Sequence, residues 1–161
     1  MNVPDLEIPD EVVDEQENSI YLSGPIRKAD DNGRDWREEL IDDYSDQFDF
    51  INPLDRYNPD EHEILNDPIH ISEDSDKTQI LPSEYVLSDK MGIKQAEFLF
   101  VGLPEIIARG TCMECQFASE NDTPIFVWTM DGQEESGWLF RHAEVMYDDR
   151  DTLMEYIQNY E

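Results

Sequence analysis

The sequence predicts an α/β protein with a flavodoxin-like layered fold, a mainly parallel five-stranded sheet flanked by helices. Three observations predict it. Short apolar runs, Phe98-Leu99-Phe100-Val101 and Pro124-Ile125-Phe126-Val127-Trp128, read as buried strands. The segment between them is long enough for the crossover helix that a parallel pair needs. The 161 residues show no internal repeat and no linker, and that length suits one domain with a substantial core.

The elements follow in order. Residues 1–18 are acidic with little apolar periodicity and are expected to form an arm outside a single domain spanning 19–161. Ser19 to Leu22 reads as the first strand, running into the turn Ser23-Gly24-Pro25. Trp36, Leu40, Ile41 and Tyr44 recur at helical spacing and predict a helix over 34–45. Phe48 to Asn52 is a second strand, stopped by Pro53. From Leu54 to Pro82 the pattern fails, and Pro59, Pro68 and many Asp, Asn and Ser residues suggest a long loop that covers substrate or contacts a subunit. Ser83 is placed to cap a helix through Gln95, with Val86, Ile93 and Ala96 on its buried side. A strand over 97–101 comes next, then a helix opened by Gly110 and capped by Thr111, then the strand over 124–128. After a loop with Gly132 and Gly137, Leu139 to Met146 reads as the fifth strand. Asp151 is expected to cap a last helix, where Leu153, Tyr156, Ile157 and Tyr160 share one face.

Composition narrows the function classes. Forty acidic residues against 11 basic ones give a formal net charge of -29. Such an excess repels itself in dilute solution and is tolerated where ions are concentrated. The chain therefore reads as a protein of a salt-accumulating halophile, or of a virus infecting one. No basic patch is available to meet phosphates, so nucleic acid is not an expected partner. No apolar run spans a bilayer and no signal-peptide pattern opens the chain, so a cytoplasmic location without membrane contact is expected. Cys112 and Cys115 form one C-x-x-C, but His62, His70 and His142 are scattered, so neither a metal site nor a cofactor is expected.

Glu114 is the residue best placed for chemistry. It is expected in the first turn of the helix opened by Gly110, close to the carboxyl end of the strand over 97–101. In open α/β sheets, ligands bind beyond the carboxyl ends of the strands. The ordinary explanation is a capping box, with Glu114 three residues after Thr111. Three pieces taken together point further. They are the opening strand Ile20-Tyr21-Leu22-Ser23-Gly24-Pro25, the segment from Asp89 to Ala96-Glu97-Phe98-Leu99, and Gly110-Thr111-x-x-Glu114-x-x-x-Ala118. In order and spacing they resemble the nucleoside 2-deoxyribosyltransferase family, over about 19–128, and Asn52-Pro53-Leu54 matches a common turn of that family.

The resemblance implies cleavage of the N-glycosidic bond of a 2'-deoxyribonucleoside, with transfer of the sugar to another base. It implies that Glu114 attacks the anomeric carbon, that Asp89 supplies the proton to the departing base, and that Tyr21 orients Glu114. Ser23, Gly24, Pro25, Arg27, Arg109, Gly110 and Thr111 would line the substrate. Two departures stand out. Ala108 and Arg109 occupy a stretch where some family members carry an acidic residue. Arg27 matches the arginine of a related branch, the deoxynucleoside 5'-monophosphate N-glycosidases, and suits a phosphate. The alternatives are therefore hydrolysis of a deoxynucleoside 5'-monophosphate, or a nucleotide-binding module without catalysis. The resemblance also implies a homodimer or higher homo-oligomer. The apolar residues Trp138, Leu139, Phe140, Tyr156 and Tyr160 suggest a surface for it.

Overall fold

The computed structural model describes residues 15–26, 29–56, 58, 60–65, 76–104, 108–130 and 141–161. β1 (Gln16–Ser23) leads to α1 (Asp35–Tyr44) and β2 (Asp49–Ile51). A single 3-10 turn, Pro53–Asp55, follows, then β3 (His62–Ile64) and β4 (Thr78–Ile80). The chain continues through α2 (Pro82–Gln95), β5 (Ala96–Leu103), α3 (Arg109–Glu120), β6 (Ile125–Thr129), β7 (Val145–Tyr147) and α4 (Arg150–Gln158). Five strands form one parallel sheet in the order β2-β1-β5-β6-β7. This is the flavodoxin-like order, and its direction reverses between β1 and β5.

The alternation of side chains along each strand builds two cores. Ile20 and Leu22 of β1, Phe98 and Phe100 of β5, and Phe126 of β6 pack with Leu40 of α1 and with Leu153, Met154 and Ile157 of α4. Tyr21, Leu99, Val101, Leu103, Ile125 and Val127 point the other way, onto Ile93 of α2 and Cys115 and Ala118 of α3. Each fully buried side chain of this size contributes about 1.5–3 kcal/mol, so both helical layers are firmly held.

Several local expectations are corrected. Gln16, Glu17 and Asn18 belong to β1 rather than to an arm, with a register irregularity between Gln16 and Ile20 and a left-handed Asn18 (φ 57°). The stretch over 54–82 is not without regular structure, because β3 and β4 pair in parallel as a small second sheet. α2 begins at Pro82 with Leu81 as its cap residue, and Glu84 accepts from the Leu81 N–H at 2.7 Å, so Ser83 is not the cap. Val86 is exposed, while Ile93 and Ala96 are buried as expected. The last strand is Val145–Tyr147; Leu139 and Phe140 lie outside the described residues. α4 is capped by Asp149, which accepts from the Thr152 N–H at 2.7 Å, not by Asp151.

Candidate active site

The site is built where the strand order reverses, between β1 and β5. Along β1, Tyr21 and Ser23 face the α2–α3 layer, and both are almost wholly buried. The Tyr21 ring lies against α2 at Gly92, where a Cβ would fall 2.8 Å from Tyr21 Cε2. Glycine at that position lets helix and strand approach closely. Tyr21 O–H then donates to Asp89 Oδ1 at 3.0 Å. Asp89 is half-buried, so it is not the solvated mid-helix acid that its residue type alone would suggest.

Glu114 reaches the same place from α3. The helix begins at Arg109 with Ala108 as its cap residue and has no acidic residue in its first turn. Thr111 is therefore inside the helix and buried, and its Oγ1 has no hydrogen-bond partner among the described residues. The capping-box explanation fails, because Thr111 is no cap and Glu114 lies in the second turn. Helical side chains lean toward the N-terminus of their helix. Glu114 thus leans toward the carboxyl edge of the sheet.

Glu114 is half-buried as a residue, and its carboxyl, crowded by protein atoms, is pushed up to about 8. Desolvation is the largest cause, and the charge of Asp89 adds to it. The hydroxyls of Tyr21 and Ser23 and the charge of Arg37 act in the opposite direction. Ser23 Oγ makes no hydrogen bond of ordinary length, though it lies near enough to Glu114 to favour the anion. Two carboxyls that repel across one tyrosine titrate as a pair. The pair keeps one proton up to about pH 8.

The other expected site residues divide. Gly24 is buried beside Ser23, and a Cβ there would meet Gly102 O at 2.7 Å, so the ends of β1 and β5 come together through glycine. Pro25 is buried. Arg109 and Gly110 are exposed at the start of α3, and a Cβ on Gly110 would meet nothing within 4 Å. Arg27 lies outside the described residues. Cys112 and Cys115, which flank Glu114, are free, one exposed and one buried. Among the described residues no cluster of three or more His, Cys, Asp or Glu is placed to hold a metal. An open groove of about 540 Å³ along α4, lined by Tyr147, Thr152, Tyr156 and Tyr160 among others, lies on the opposite face of the sheet from α3.

One residue of the site was missed in the sequence. Arg37 is fully buried, and its charge reaches Glu114. The signal was present, since Arg37 falls on the same helical stripe as Leu40, Ile41 and Tyr44.

No family model matches the chain, and no curated protein matches it. Solved structures do. A 2-deoxyribosyltransferase from Bacillus psychrosaccharolyticus superposes with a TM-score of 0.63 at 15% identity, covering 89% of this chain and 92% of that one. A conserved protein from Enterococcus faecalis V583 gives 0.51 at 15% identity over 86% of each chain. The CMP N-glycosidase BcmB of Clostridium botulinum gives 0.51 at 14% identity, over 88% of this chain and 99% of that one. The chain therefore shares the fold of these proteins along nearly its whole length.

Proposed function

We propose that this protein cleaves the N-glycosidic bond of 2'-deoxyribonucleosides and passes the deoxyribosyl group to another base. The observation that carries the reading is the hydrogen bond from Tyr21 to Asp89 at 3.0 Å, with the Glu114 carboxyl on the same tyrosine. Two of the three similar structures, a 2-deoxyribosyltransferase and a CMP N-glycosidase, support the reaction class.

In the reactive form the proton held by Glu114 has moved through the Tyr21 hydroxyl to Asp89, leaving Asp89 neutral and Glu114 ionised. A Glu114 oxygen attacks the anomeric carbon as the carbon–nitrogen bond breaks. The bonding electrons leave on the base nitrogen, which takes the Asp89 proton. An oxocarbenium-like transition state favours this division of labour between two carboxyls. A second base then attacks the same carbon, the ester bond returns its electrons to Glu114, and the incoming base gives a proton to Asp89. Two inversions retain configuration. Tyr21 holds the carboxyls in register.

A second reading has its own support. Arg109 is exposed at the N-terminus of α3, with open space over Gly110 beside it. A helix start with an arginine favours an anion. That suits a 5'-phosphate and hydrolysis by water in place of transfer.

Incubation with deoxynucleosides and deoxynucleoside monophosphates, with and without an acceptor base, tests both readings. Transfer predicts base exchange on nucleosides. Hydrolysis predicts free base from monophosphates whether or not an acceptor is present. Release of no base from any substrate would overturn the catalytic reading.

A further inference from the structure

We propose that Arg56 is a positioning residue for Asp89: it ties the turn after β2 to α2 at Ser88, and so holds the neighbouring Asp89 carboxyl at the Tyr21 hydroxyl.

The contact is direct. Arg56 Nη1 donates to the Ser88 hydroxyl at 2.7 Å and also to the Ser88 carbonyl. Asp89 is the next residue, and its Oδ1 accepts from Tyr21 at 3.0 Å. Among the described residues, the Arg56 side chain hydrogen-bonds to Ser88 and to no carboxylate, in a chain with 40 acidic residues. The tether is rooted beside Tyr21. Ile51 of β2 is the parallel-sheet partner of Tyr21. The buried Asn52 side chain then accepts from the Leu54 N–H at 3.1 Å, and the Arg56 N–H donates to Pro53 O at 3.2 Å. Arg56 therefore extends from a turn closed by its own hydrogen bonds.

The need for a tether follows from the helix. The buried residues of α2 are Gly92 and Ile93, and both come after Asp89. None of residues 82–91 is buried. A Cβ on Gly92 would fall 2.8 Å from Tyr21 Cε2 and 3.3 Å from Ile51 Cγ2. Without a side chain, Gly92 brings the helix close to both strands but gives no grip against rotation about its axis. Viewed down that axis, Gly92 lies between Ser88, four residues before it, and Asp89, three before it. Rotation that draws Asp89 off Tyr21 also displaces Ser88 from Arg56, so the two bonds on Ser88 oppose it. One of them is made to a backbone carbonyl, and it locates the helix itself rather than one rotamer.

The inference takes its importance from Asp89 being the proton donor, but its test does not need turnover. Arg56 is exposed, so replacing it removes the tether without opening the core. The carbon-13 resonance of Tyr21 Cζ is followed in molar KCl, with Tyr21→Phe identifying the signal and Asp89→Asn marking its position once the carboxylate is gone. Arg56→Ala is expected to move the resonance toward the Asp89→Asn position. Arg56→Lys keeps an N–H donor and is expected to move it less. Arg150→Ala breaks the tie to Asp43 on the opposite face of the sheet, controls for lost stability, and is expected to leave the resonance in place. Where base release is measurable, Arg56→Ala should lower kcat about 10-fold to 100-fold at nearly unchanged KM, the scale of a small misplacement of a reacting group. In Asp89→Asn the same substitution should cause no further loss. A folded Arg56→Ala whose Tyr21 resonance keeps its wild-type position overturns the proposal, and so does a shift equal to that of Arg150→Ala. Absence of base release from wild type together with the expected Tyr21 shift would count against the proposed reaction and leave the role of Arg56 standing.

Discussion

At the scale of residues, the Tyr21 hydroxyl bridges two carboxyls, Glu114 and Asp89, that share one proton. Glu114 is raised by burial and by Asp89, so the folded protein holds its proton more tightly than the unfolded chain does. Stability from this group is present below the ordinary carboxylate range and is lost as pH rises through about 8. Glu114→Gln removes that loss. Its melting temperature should exceed wild type most clearly above pH 8 and converge with it below about 4.5, measured by thermal scans across pH. Its rate of base release should fall about a thousandfold or more. Asp89→Asn removes the repelling charge and should lower the Glu114 midpoint, while loss of the proton donor slows base release by about 10²–10⁴-fold. For wild type, kcat/KM should decline above about pH 8, as the last proton leaves the pair. A rate still climbing at pH 9 would contradict a proton-donating partner.

At the scale of elements, Gly92 sets the distance between α2 and β1. Gly92→Ala puts a Cβ 2.8 Å from the Tyr21 ring and must displace helix or ring. The expected cost is roughly 1–3 kcal/mol of stability by denaturant titration, with a larger proportional loss of activity than stability alone explains. Legibility also divides by element. The buried strands and α1 were readable because their apolar periods extend over enough residues to be distinctive. β3 and β4 were not, since three residues cannot establish an alternation. Helix starts were misread wherever two polar residues competed. Asp149 and Asp151 both suit a cap, and only the first is followed at the right distance by a Thr152 N–H. Thr111 and Glu114 have capping-box spacing, yet Thr111 is buried one turn before Glu114 on the same helix face. For the site, the sequence singled out Tyr21, Asp89 and Glu114 because each belongs to a local motif. Arg37 belongs to none. Its one trace in the sequence is its place on the α1 stripe with Leu40, Ile41 and Tyr44.

At the scale of the whole molecule, charge and association dominate. With a net charge of -29, self-repulsion is screened only by concentrated ions. The melting temperature should climb from dilute buffer to molar KCl, and a temperature independent of salt would contradict a salt-adapted surface. Among the described residues, Arg150 ties α4 to α1 through Asp43 at 2.5 Å, and Tyr44 donates to Asp151 at 2.9 Å. Part of the tail proposed as a contact surface is used within the chain, because the Tyr160 ring packs edge-on against Phe98 and Phe126. Trp138, Leu139 and Phe140 lie outside the described residues. We retain a homo-oligomer as a proposal, to be checked by light scattering in molar KCl. A fully active monomer would exclude a pocket completed by a second copy. The central claim is a covalent deoxyribosyl ester on Glu114, and mass spectrometry of the acid-quenched reaction tests it most directly. The account predicts a mass gain of one deoxyribosyl group on the peptide containing Glu114, absent from Glu114→Gln. A modification mapped to any other peptide, or base release undiminished in Glu114→Gln, would contradict it.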